Sequence, residues 1–61
     1  MIDAALKARG VAAWQARARQ LHVEANDAAD YGDLKLSLEL RRHAFAAEDA
    51  AREWAGYEVS Q

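Results

Sequence analysis

Sixty-one residues without cysteine or proline allow one small domain and exclude disulfide staples and thiolate metal centres. The net charge of −2 and the pI near 5.5 argue against general polyanion binding, which relies on a basic field. Hydrophobic residues make up 52% of the chain, but many are alanine, so the large side chains that build a core are few. No window approaches the roughly 20 apolar residues of a spanning helix, and the N-terminus lacks the apolar run of a signal peptide. The expected location is the cytoplasm.

Asp3 is placed to cap a first helix beginning at Ala4. Lys7-Ala8-Arg9-Gly10 has the form of a helix end, bases followed by glycine, so Gly10 either splits off a short leading helix or only weakens a continuous one. From there Val11, Trp14, Ala18, Leu21, Ala25 and Ala28 alternate steps of three and four, a narrow seven-residue stripe. Alanine in such a stripe lets two helix backbones approach closely. Tyr31-Gly32-Asp33 breaks the pattern: Gly32 suits a left-handed position after the first helix, and Asp33 suits the cap of the next.

Leu34, Leu36, Leu38 and Leu40 then recur at every second position. Taken literally, that alternation is a half-buried strand. A lone strand has nothing to pair with, and the stretch from Arg41 to Ala55 is strongly helical, so the leucines are assigned to the start of a second helix. Each step of two turns a helix by about 200°, which sends the leucines to opposite sides. One stripe is Leu36, Leu40, His43, Ala47, Ala50, Trp54 and Tyr57, expected to form the core with helix one. The other is Leu34, Leu38 and Phe45, with Arg41 on its border.

Charge is distributed in blocks: residues 1–23 are basic (Lys7, Arg9, Arg17 and Arg19 against Asp3), residues 24–33 are purely acidic, and the C-terminal half of the remainder is acidic. Folding back at Gly32 sets the basic segment beside the acidic one. The predicted fold is therefore all-α: an antiparallel two-helix hairpin with helices over about 4–29 and 34–56 and a turn at 30–33, associating into a helical bundle.

Candidate sites follow from the residues this fold leaves over. Leu34, Leu38 and Phe45, with Arg41 beside them, form an apolar face that marks a protein interface. Either a second hairpin, giving a four-helix bundle, or a groove on a larger protein would cover it. Glu24, Asp27, Asp30 and Asp33 recur every third residue. Their spacing does not supply a calcium loop, and the alternative function they support is a small acidic inhibitor or adaptor facing a basic site. Arg17 and Arg19 diverge around the helix and make no basic stripe, so nucleic acid is a disfavoured partner. His22 and His43 lack a recognised ligand spacing, and Trp14 and Trp54 are taken as core anchors. No catalytic constellation, metal site, cofactor, membrane contact or small-molecule substrate is indicated, so an enzyme is not expected.

The motif Gly32-Asp33-Leu34-x3-Leu38-Glu39-Leu40-x3-Ala44-Phe45 resembles the second helix of a tetratricopeptide repeat, with Ser37 and Ala44 at its small-residue positions. Arg41 stands where that pattern carries an aromatic residue, and 61 residues hold only one such unit. The same stretch, with its Gly-Asp-Leu-Lys start, is also similar to helical hairpins of phage terminase small subunits. That likeness implies a hairpin that mediates oligomerisation and a phage-encoded protein. It covers about twenty residues, and no DNA-binding domain accompanies it.

Overall fold

The computed structural model describes residues 2–59. It contains two helices, α1 (Ala4–Asp30) and α2 (Leu34–Ala55), packed along their length as an all-α hairpin. The Cα trace measures 50 × 13 × 8 Å, the shape of two rods lying side by side as a plate.

Local chemistry sets the ends of both helices. The Asp3 carboxylate accepts the Leu6 N–H at 2.7 Å, and Asp33 does the same for Leu36 at 3.1 Å. Each satisfies one of the donors that a helix N-terminus leaves open. At the turn, the Asp33 N–H donates to the Ala28 carbonyl and the Gly32 N–H to Ala29, both at 2.9 Å. This reciprocal pair is a Schellman motif, and it requires the left-handed backbone that Gly32 adopts at φ 84°. The leucine run is therefore helical from Leu34 onward.

Gly10 does not break α1. It lies in the middle of a helical turn, and its missing side chain accommodates Trp54: a Cβ built there would fall 2.3 Å from the indole ring. The glycine that reads as a stop signal is a seat for an aromatic ring. Beyond Gly56, Tyr57 stacks at a tilt on Trp54 with ring centroids 5.3 Å apart. The Tyr57 carbonyl accepts from Lys7 Nζ at 3.1 Å, and Val59 forms an isolated parallel bridge with Ile2. These contacts tie the open end of the hairpin together.

The core is a seam of small residues. Ala18, Leu21, Ala25 and Ala28 of α1 meet Ser37, Ala44, Ala47 and Ala51 of α2, with Leu40 partly buried against them. The α1 stripe matches the sequence pattern from Ala18 onward, while Trp14 remains 40% exposed rather than closing the core. The α2 stripe is corrected in part. Ala47, Leu40 and Trp54 face the seam, but Ser37, Ala44 and Ala51 replace Leu36, His43 and Ala50 as its second row, which turns the buried face by about 50°. Leu36 is left 43% exposed. Small residues facing small residues let the helices approach more closely than leucine would. The Ser37 hydroxyl fixes that rotation by donating to the Ala25 carbonyl at 2.8 Å.

The charge blocks are not expressed as Lys or Arg pairs with carboxylates across the hairpin. Among the described residues Arg52 pairs with Asp49, one turn apart on α2, and His22 of α1 reaches Glu48 of α2 through a hydrogen bond. Exposed pairs contribute little in any case. No helix of the described residues is long and apolar enough to cross a membrane.

Candidate interaction surface

A two-helix plate has two broad sides, and the rotation of α2 decides what each presents. On one side stand Leu34 and Leu38, each 66% exposed, and Phe45, 54% exposed. Leu38, Arg41, Arg42 and Phe45 border a shallow depression of about 240 Å³ there. The three apolar residues of the predicted interface thus share one side of α2. Tyr31, almost fully exposed at the turn, lies close to Leu34 in the chain.

Arg41 has a different role from its apolar neighbours. Its guanidinium donates to Asn26 Oδ1 at 2.8 Å and to His22 Nδ1 at 3.0 Å. A guanidinium has no acceptor, so His22 Nδ1 must carry the lone pair and Nε2 the proton. Nε2 then donates to Glu48 Oε1 at 2.9 Å. The geometry selects one neutral tautomer, held between a cation and a carboxylate on α2. The edge of the His22 ring meets Phe45, with centroids 5.5 Å apart and planes at 72°. The chain of contacts Asn26–Arg41–His22–Glu48 therefore braces Phe45 against α1. Sequence reasoning missed this cluster because its members are 15 to 26 residues apart and share no local spacing.

The opposite side carries a longer groove of about 580 Å³, lined by Trp14, Arg17, Leu21 and Glu24 of α1 and by Leu40, His43, Ala46 and Ala47 of α2. His22 and His43 thus belong to different sides and make no joint site. Among the described residues no group of three His, Cys, Asp or Glu side chains is placed to hold a metal ion.

The four carboxylates at 24–33 are dispersed. Glu24 lies in the groove, Asp33 is occupied as the α2 cap, and Asp27 and Asp30 are exposed on the outer surface of α1. Steps of three residues turn a helix about 60° short of a full circle, so Glu24 and Asp30 diverge by roughly 120°. Compared with family models, curated proteins and solved structures, the chain matches none.

Proposed function

We propose that this chain is a non-enzymatic protein-interaction module. It associates with a second copy or docks on a larger protein through the Leu34, Leu38 and Phe45 side of α2. The observation that carries this reading is the inverted distribution of side-chain size. Alanines fill the seam, while Leu34, Leu38 and Phe45 stand exposed together. Fully burying a leucine or phenylalanine contributes about 1.5–3 kcal/mol, so three such residues on one side favour a partner of apolar character. The Arg41–His22–Glu48 cluster supports the same reading, because it holds Phe45 in place before any partner arrives and so lowers the ordering cost of association. The likeness of residues 32–45 to oligomerising hairpins points in the same direction.

Site-specific photocrosslinking in the native host tests the proposal. A photoreactive amino acid at Leu38 is expected to give discrete adducts that disappear with Phe45→Glu, while the same group at Lys35 on the outer surface gives none. Equal labelling from both positions, or no adduct from Leu38, would refute the assignment.

A further inference from the structure

We propose that the groove side is the self-association surface, covered by a second copy of this chain whose helices run antiparallel to those beneath them. This rests on the reading of the chain as an association module and names one partner, leaving the Phe45 side for another protein. The groove presents Trp14, Leu21 and Leu40 flanked by two charges, Arg17 and Glu24. Those charges lie seven residues apart on α1, about 10.5 Å along the axis, too far to pair with each other. Neither has a hydrogen-bond or ion-pair partner among the described residues.

A two-fold axis crossing the plate at mid-length satisfies both. Such an axis stacks α1 on its copy and α2 on its copy, each pair antiparallel, and makes every contact occur twice. If it passes between Gln20 and Leu21, Arg17 of each copy lies over Glu24 of the other. The level of that point on α2 follows from the hairpin itself. Gly10 lies beside Trp54, and Ala25 beside Ser37, so residues 20 and 21 are level with the Arg41–Ala44 turn of α2. The same axis therefore sets Leu40 over the 43–47 turn of the copy and Leu36 over the 47–51 turn. Besides His43, the groove residues of those turns are alanines.

One axis thus satisfies the charge pairing on α1 and brings the leucines of α2 over alanine-rich turns. An axis running along the helices does worse. It would lay Arg17 over Ala47 and Glu24 over Leu40, leaving both charges without an opposite. The dimension is adequate too: a plate of 50 × 13 Å offers on the order of 650 Å² per copy before side chains widen it, close to the roughly 800 Å² per partner of a standard interface.

The test is sedimentation velocity and native mass spectrometry on the full chain, comparing wild type with Arg17→Glu, Glu24→Arg, the double swap Arg17→Glu/Glu24→Arg, and Leu38→Glu. The wild type is expected to be a dimer. Each single swap should weaken it about tenfold, and the double swap should restore it to within about threefold. Leu38→Glu should leave the dimer unchanged. Recovery in the double swap separates a lost contact from a misfolded variant. A monomeric wild type, or a double swap no better than the singles, overturns the proposal. Dissociation by Leu38→Glu with the charge swaps silent also overturns it, but leaves the Phe45 side standing as the association surface. The converse result, charge swaps acting as expected with no adduct from Leu38, supports the groove dimer while removing the Phe45 side as an interface.

Discussion

The seam between the helices and the two open sides of the plate follow opposite rules. In the seam the residues, Leu21 apart, are small and buried, and Ala25 and Ala44 have no exposed surface. Outside it stand large side chains in contact with solvent, Leu38, Phe45, Leu36 and Trp14 among them. A plate one helix thick, only 8 Å in its smallest Cα dimension, has no interior volume for leucine side chains on both of its sides. Close approach of the backbones holds the hairpin together, and the bulkier apolar surface remains available to whatever packs on it.

That contrast is broken most severely by enlarging the seam. Ala44→Leu forces side-chain volume into a site with no free space, where overpacking costs about 1–3 kcal/mol. In a domain of this size such a loss is a large share of the total, and thermal melts followed by circular dichroism should show a much lower or absent transition. A second break is Gly10→Ala. In a solvent-facing helix that change would stabilise by roughly 1 kcal/mol, but here the new methyl meets the Trp54 ring. The expected outcome is a net loss in urea titrations. In a Trp54→Ala background the same substitution should become stabilising, and that reversal of sign is the measurement that matters.

Gly32→Ala is a smaller perturbation of a different kind. Open space surrounds the glycine, so only its left-handed backbone opposes a side chain. A cost of about 1–2 kcal/mol is expected, and Gly32→Asn should recover part of it because asparagine tolerates that conformation. The smallest effect sharpens the comparison from the other side. Leu38→Ala removes three heavy atoms from an exposed position and should change the stability of the hairpin by no more than about 0.5 kcal/mol. The same substitution at Leu21, in the seam, should cost about 2–5 kcal/mol.

How much of this was legible in the chain differs by element. Asp3, Gly32 and Asp33 announce their roles because caps and turns depend on residues within a few positions of one another. The α1 stripe was visible through its alternation of three and four. Gly10 was ambiguous, since a glycine that ends a helix and one that receives a ring 44 positions away look identical in sequence. The α2 stripe was half legible. Leu40, Ala47 and Trp54 were in the right row, but hydrophobic size alone ranks Leu36 above Ser37 for the core. The exposure of Leu34, Leu38 and Phe45 on one side of α2 was legible, whereas the cluster that anchors Arg41 and braces Phe45 was not.

The sequence by itself determined two capped helices, the turn between them and a hairpin topology, because each is written in local spacing and backbone preference. Only the tertiary structure decided how α2 is rotated about its own axis. That choice depends on which faces of two distant segments pack most closely, and it went to the alanines and Ser37 over the leucines. The rotation then set Leu34, Leu38 and Phe45 of α2 on one open side of the plate and Leu40 and His43 toward the other.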